Sequence, residues 1–385
     1  MEATDKPASI LIVDDTQANL RLLSQLLGQR GYNVRAVTNG ARALASVEAE
    51  IPDLILLDIR MPGMDGYQVC QRLKELPQAR DIPILFISAL DEVEEKMKAF
   101  GAGGVDYITK PFQLEEVVAR VETHLSLRRL QQSLQEANRR MQRELVLAAQ
   151  VQASMMRSRL PLLPGWQLAV KLIPAKLTCG DFYDVLHLPG GKTAILIADV
   201  VDKGVGAALF MSMSFTLLRT FIQEHPENPE QVFLAVNRRI LEDIQTDQFV
   251  TAFLGVLDPQ TGELVYSNAG HNPPVLFRAA NEEAIEFLRR SGPALGVLEE
   301  LTWEQRRLRL APGDVLIFYT DGVTDAENES RDFYGLERLL KAVRKNMRLP
   351  AEALREALLN DLYTFTQEAS QMDDIALMIL SREQG

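Results

Sequence analysis

Cysteine and histidine are scarce in this chain, with two of the first, Cys70 and Cys179, and four of the second. The two cysteines lie far apart and outside any CxxC spacing. They exclude a disulfide framework or a zinc site and fit a reducing cytosol. So few histidines leave little room for a Ser-His-Asp or Cys-His nucleophile, and none offers itself. Long apolar runs are missing too. The opening MEATDKPASILIVDD holds an apolar run of only four residues, too short for a signal peptide. No stretch approaches the roughly 20 apolar residues of a membrane span. The expectation is a cytoplasmic protein with no membrane partner. Positive charge is in deficit, since 41 Lys and Arg against 53 Asp and Glu leave a formal −12. That balance argues against nucleic acid as the main partner, and no helix-turn-helix with a basic recognition helix follows residue 123.

What is present is enough apolar material for two cores, 46% of 385 residues. From residue 8 to about 123, short apolar runs alternate with helical patterns. Ile10–Val13 stops at Asp14 and Asp15, Leu54–Leu57 at Asp58, Ile84–Ile87 at Ser88, and Val105–Ile108 leads to Lys110-Pro111. The alternation predicts a parallel sheet covered on both faces, with its chemistry just past the carboxyl ends of the strands. Three carboxylates gathered there call for a cation, and oxygen ligands suit Mg²⁺. The lysine and the hydroxyl add donors for a phosphoryl group.

These positions resemble the receiver domain of two-component response regulators. The resemblance implies a doubly wound five-stranded parallel sheet with Asp58 as the phosphoacceptor. It implies that Asp14 and Asp15, with Asp58 and the carbonyl of Arg60, hold Mg²⁺, and that Ser88 and Lys110 contact the phosphoryl oxygens. It also implies a cis bond before Pro111 and a sensor histidine kinase as the upstream partner. Tyr107 matches the aromatic that turns inward on phosphorylation; a core or rim tyrosine is the alternative.

After Pro161, Pro164 and Gly165 the pattern changes. Neighbouring strands now pair in sequence, Asp184–Leu188 with Lys192–Ala198 and Phe249–Leu257 with Glu263–Asn268, across Gly/Pro turns. Helical stretches follow at Gly206–Glu224, Pro229–Ile244, Leu336–Asn346 and Ala351–Glu368. This predicts an α+β domain with antiparallel sheets and helices on their outer faces. Acids again stand at strand ends: Asp181, Asp199, Asp321, Asp373 and Asp374. With no cysteine or histidine closely accompanying them, the metals implied are hard ones, Mg²⁺ or Mn²⁺.

The motifs CGDFYD, IADVVDKG, NAGHNPP, YTDGVTDAEN and DDIALMIL resemble, in order, the PPM-type metal-dependent serine/threonine phosphatases, in particular their RsbU-like bacterial branch. The resemblance implies an antiparallel β-sandwich flanked by helices and two Mn²⁺ or Mg²⁺ ions. Asp199 would bridge both ions with help from the Val200 carbonyl, Asp321 and Asp373 would complete one, and Asp181 would serve the other. Cys179 stands where the family commonly has glycine, and Gly204 would allow close backbone approach after Asp199. His271 sits in a Gly/Asn/Pro-rich turn, which favours a structural role; a general acid to the leaving serine is the alternative. Asp184, Asp325 and Asp374 would be secondary or solvated. The implied substrate is a phosphorylated anti-sigma-factor antagonist of the STAS type. A catalytically silent adaptor that grips a sigma-factor regulator is the alternative, and retention of all four metal acids argues against it.

Between the domains, at 1–123 and 161–385, residues 124–160 hold neither glycine nor proline and are rich in strong helix formers. Leu127, Leu130, Leu134, Ala137 and Met141 are spaced as a heptad seam, which predicts a helical coiled-coil linker and a homodimer. Leu145, Ala148, Gln152 and Met155 continue it out of phase, as a stutter near Met141, with Ala148 and Gln152 as poor core residues. Packing of the part after Glu144 on its own domain is the rival reading. With no breaker from Gln113 onward, the last receiver helix is expected to run on into the linker.

Overall fold

The computed structural model describes residues 7–88, 93–156, 160–243 and 247–384. Arg157–Arg159 of the expected linker and Ile244 of an expected helix lie outside these residues. The chain divides into two compact units, 1–140 and 141–385.

The first unit alternates strand and helix: β1 (Ser9–Val13), α1 (Gln17–Gln29), β2 (Asn33–Val37), α2 (Gly40–Ala49), β3 (Leu54–Asp58), α3 (Gly66–Glu75), β4 (Ile84–Ser88), α4 (Val93–Gly101) and β5 (Asp106–Thr109), then the start of α5 (Leu114–Met155). All four strand pairings are parallel, in the order β2-β1-β3-β4-β5. β1, β3 and β4 are buried along their whole length, which is why they read as unbroken apolar runs. β2 is an edge strand, half-exposed and without such a run.

α5 is one helix of 42 residues, about 63 Å at 1.5 Å per residue. Glu115 and Glu116 in its first turn complement the dipole. Its early turns are pinned within the first unit: Leu125 is buried, Arg120 and His124 both reach Asp106, and the Arg128 guanidinium donates to the Asp53 carbonyl at 2.9 Å. Leu127, Leu130, Leu134 and Met141 are exposed, as is every residue from 129 to 144. Beyond Glu144 a different face is covered. Leu145 and Ala149 are half-buried, Gln152 is buried, and Met155 and Met156 pack against an apolar core of the second unit. Ala148 and Val151 are exposed and continue the 3-4 spacing of the outward stripe. The helix thus passes, beyond Glu144, from exposure on all sides to a face docked on its own domain, as the rival reading of that segment expects.

The second unit contains β6 (Trp166–Ile173), β7 (Phe182–His187), β8 (Thr193–Val200), α6 (Val205–Glu224), α7 (Pro229–Asp243), β9 (Val250–Leu257), β10 (Glu263–Ala269), β11 (Val275–Arg278), β12 (Asn281–Phe287), β13 (Arg306–Arg309), β14 (Val315–Tyr319), α8 (Asp321–Thr324), α9 (Gly335–Asn346), α10 (Ala351–Thr366) and β15 (Ile375–Arg382). Two antiparallel five-stranded sheets, β13-β10-β9-β8-β7 and β12-β11-β14-β15-β6, face each other. Ile195, Ile197, Phe253 and Tyr266 of one meet Leu316, Phe318, Met378 and Leu380 of the other. The alternate positions face outward. Leu196, Ala198 and Leu254 pack under α6 and α7, and Ile317, Tyr319 and Ile379 under α9 and α10. Strands buried on both faces explain the long apolar runs here, as in the first unit. α6 is long and apolar enough to cross a membrane, closer to that limit than the sequence reading allows. Its Phe210, Met211, Phe215, Leu218 and Ile222 are buried in the core.

Candidate functional site

In the first unit the parallel register sets Val13 beside Leu57, Asp58 beside Ile87 and Ser88 beside Thr109. The residues just past those ends therefore converge. Asp14, Asp15 and Asp58 each place a carboxylate oxygen within 4.8 Å of the others. Asp14 and Asp58 are buried and Asp15 is exposed. Lys110 spans the pair, its Nζ 2.9 Å from Asp14 Oδ2 and 2.9 Å from Asp58 Oδ2. Asp14 is held further by the Thr16 N–H at 2.8 Å and the Asn19 amide at 2.9 Å.

Burial pushes the Asp58 carboxyl up, and Asp14 adds to this, while Lys110 and the Arg60 N–H pull it back without fully cancelling the rise. Arg60 enters the site through that N–H. Ser88 is buried at the end of β4, and the Lys110 N–H donates to its carbonyl at 2.6 Å. The Lys110-Pro111 bond is cis. Tyr107 is half-buried, edge-on to Phe100 at 6.2 Å and under the Lys96 ammonium at 4.6 Å. An all-oxygen trio with one bridging ammonium has the chemistry to take a hard divalent cation.

The second cluster arises from strand alternation. Positions 195 and 197 of β8, 316 and 318 of β14, and 376 and 378 of β15 face the space between the sheets. Continued to Asp199 within β8, Thr320 just after β14 and Asp374 just before β15, that alternation brings all three to the same side, beside Asp181 just before β7. The Asp181 and Asp199 carboxyls lie close enough to act on each other. Burial, then Asp199, hold Asp181 well above the ordinary carboxylate range. Burial, then Asp321, push Asp199 up to about 7. Burial, then Asp373, raise Asp321. Lys203 answers Asp373 at 2.8 Å. Carboxylates so crowded and so lifted fit divalent cations, and the donor set is again oxygen alone. This cluster is more open than the first, which among the described residues is the one group with three carboxylate oxygens within 4.8 Å.

Several residues stand differently from expectation. Gly204 has φ +97° with nothing within 4 Å of an added Cβ, so its backbone angle requires glycine, not a close approach. The close approach is at Gly322, where a Cβ would fall 1.9 Å from the Asp374 carbonyl. Asp374 is not solvated. It is buried, and its two oxygens accept the Ala175 N–H at 2.7 Å and the Gly180 N–H at 2.6 Å. Asp184 is buried as well, 3.6 Å from Arg219, while Asp325 is exposed.

His271 is buried, its Nδ1 2.9 Å from the Thr251 hydroxyl and its backbone N–H donating to Asn268 Oδ1. Burial, then Arg290, press its pKa down to about 3. A ring so held is neutral at ordinary pH and belongs to the turn, as the motif suggests. Cys179 is buried, and burial, then Asp374, push its thiol far up. It is no nucleophile.

Three contacts have no counterpart in the sequence reading. The Thr320 hydroxyl donates to Asp181 at 2.6 Å and accepts the Ala376 N–H at 2.9 Å. Its place just before Asp321 in YTDG was the available signal. Lys203, in IADVVDKG, had a similar one. Gln152 makes two bonds to the backbone of Cys179, and nothing in a polar residue on a helix announces that.

Residues 10–122 match the family of response regulator receiver domains, and residues 189–383 match stage II sporulation protein E (SpoIIE). Protein IcfG of Synechocystis sp. is 31% identical over 399 aligned positions, 97% of this chain and 58% of that protein. The chain therefore spans a little over half of that relative. Phosphoserine phosphatase RsbU of Bacillus subtilis is 27% identical across 68% of this chain and 75% of its own length. Among solved structures, the SiaA-PP2C domain of Pseudomonas aeruginosa aligns with a TM-score of 0.58 at 20% identity. It covers 64% of this chain and 98% of that one, a likeness of fold.

Proposed function

The chain belongs to the SpoIIE family and carries a response-regulator receiver domain ahead of a PP2C-type phosphatase domain; from that premise we propose that phosphorylation of Asp58 governs metal-dependent hydrolysis of phosphoserine or phosphothreonine in a protein. The observation that carries this reading is the convergence of Asp181, Asp199, Asp321 and Asp373 at one end of the sandwich, where burial and acidic neighbours raise the first three. In this reading Asp199 reaches two Mg²⁺ or Mn²⁺ ions with the Val200 carbonyl, Asp321 and Asp373 hold one, and Asp181 holds the other. When bound, such ions supply the Lewis acidity that activates water and neutralises phosphoryl charge. The Thr320 hydroxyl fixes the Asp181 carboxyl, and Lys203 steadies Asp373.

The receiver takes its phosphoryl group from a sensor histidine kinase onto Asp58, with Mg²⁺ on Asp14, Asp15, Asp58 and the Arg60 carbonyl, and with Ser88 and Lys110 on the phosphoryl oxygens. Residues 124–160 act as the linker between domains at 1–123 and 161–385. They pair with a second copy through the outward stripe of Leu127, Leu130, Leu134 and Met141. The substrate is a phosphorylated STAS-type anti-sigma-factor antagonist, met in the cytosol. Its choice rests on the likeness to RsbU.

The test is Mn²⁺-dependent hydrolysis of p-nitrophenyl phosphate, followed by loss of phosphate from candidate phospho-antagonists. Asp199→Asn is expected to abolish both. Equal rates in wild type and variant would favour a silent adaptor instead.

A further inference from the structure

Asp181 is delivered by a loop, Ala175–Gly180, that belongs to no strand or helix. Two side chains hold that loop from different elements. From α5, the Gln152 amide donates to the Cys179 carbonyl at 2.6 Å, and its oxygen accepts the Cys179 N–H at 3.0 Å. From the residue before β15, Asp374 accepts the N–H groups of Ala175 and Gly180. Gln152 and Asp374 are both buried. Cys179 and Gly180 immediately precede Asp181, so the two clamps act on the peptide groups that set where its carboxylate points. The remaining fixed point is the Thr320 hydroxyl on Asp181 itself.

Gln152 is the one buried polar residue among the described residues of α5. A buried carboxamide is costly unless both its donor and its acceptor are used, and here Cys179 alone uses both. An apolar residue at this position of a docked helix face would serve packing better. A glutamine therefore marks a specific attachment of the helix to the loop.

We propose that Gln152 and Asp374 are positioning residues for the metal site: together they hold Cys179–Gly180 so that Asp181 stands ready to ligate, and the seating of α5 thereby sets divalent-cation affinity. The proposal rests on the phosphatase reading above. It assigns Asp374 to the loop and not to a cation, although it adjoins the proposed ligand Asp373. It also gives the docked end of the helix a definite output, since a helix that shifts its seat takes Gln152 from Cys179 and loosens the loop.

The experiment is Mn²⁺ titration calorimetry on the full chain in four forms: wild type, Asp199→Asn, Gln152→Leu and Asp374→Asn. Asp199→Asn reports the receiver site alone, so its difference from wild type is the phosphatase site. Gln152→Leu and Asp374→Asn are expected to keep the wild-type number of ions while Kd at that site rises about 10-fold or more, as for other residues that orient a ligand. Hydrolysis of p-nitrophenyl phosphate by both variants should recover at saturating Mn²⁺, which a general structural defect would not allow.

Unchanged affinity in Gln152→Leu overturns the clamp, and loss of an ion from Asp374→Asn overturns its assignment by making it a ligand. Should the leucine variant fail to fold, Gln152→Glu decides. It keeps the acceptor for the Cys179 N–H but sets an oxygen against the Cys179 carbonyl, so weakened binding supports the clamp and wild-type binding overturns it. If wild type binds no more Mn²⁺ than Asp199→Asn, the phosphatase reading fails and takes the clamp with it.

Discussion

His271 stays neutral because it is buried beside Arg290, with a pKa near 3 against an unfolded value near 6.5. Its folded value is the lower of the two, so above pH 6.5 it adds no pH dependence. As pH falls from 6.5 towards 3, the unfolded chain binds a proton that the folded one refuses, and stability is lost. On this group's account the protein should be about 2 kcal/mol less stable at pH 5 than at pH 7. His271→Gln should remove that share of the slope. Both tryptophans, Trp166 and Trp303, lie in the second unit, so urea unfolding followed by tryptophan fluorescence at the two pH values reads it directly. Asp106 is shifted the same way by the opposite cause, favourable contacts to its charged form, so it too loses stability as pH falls. Burial works to raise its carboxyl, but Arg120, the Tyr107 N–H and His124 outweigh that and hold it low. Its contribution is present above the unfolded carboxylate pKa and is lost as pH falls through the folded one. Single residues were legible in the sequence where an acid ended an apolar run, as Asp14, Asp58 and Asp199 do. They were illegible where the partner was a backbone group far along the chain. Asp374 looked spare beside Asp373, and Gln152 looked like a weak seam residue; each is explained by a peptide N–H or carbonyl that no local pattern reveals.

The sandwich depends on aromatic contacts across its two sheets. Phe253 of β9 is fully buried, stacked on Tyr266 at 5.3 Å and edge-on to Phe318 at 5.4 Å. Phe253→Ala should cost about 3–5 kcal/mol, seen as an earlier urea midpoint in tryptophan fluorescence. Strands with turns between them, such as β9 and β10, were readable from the sequence. β2 was not, because an edge strand with half-exposed residues carries no apolar run. β6 was not either: its pairing with β15 joins Trp166 to Arg382 across most of the domain, a contact without local signal. For α5, Leu127, Leu130, Leu134 and Met141 lie in a stretch exposed on every side, so the homodimer rests on their heptad spacing. Leu130→Glu with Leu134→Glu should halve the mass found by sedimentation, and an unchanged mass would remove the homodimer.

Across the whole chain, a receiver site and a phosphatase site are joined by a covalent thread whose regular part is a single helix. If Asp58 is the input, a small phosphodonor should change the hydrolysis rate of the wild type and leave that of Asp58→Asn where it started. The measurement is the ratio of rates with and without donor. If α5 carries that message, the angle between its 127–134 face and its Gln152 face matters, and helix geometry says how insertions would change it. One inserted residue after Asn138 would turn one face against the other by about 100°, whereas a repeated heptad would leave them within about 20°. Response to the phosphodonor should therefore survive the seven-residue insertion, the larger change in length, and be lost with the single residue. That pair of outcomes would make the count of residues between Leu134 and Gln152 a clock setting more than a distance.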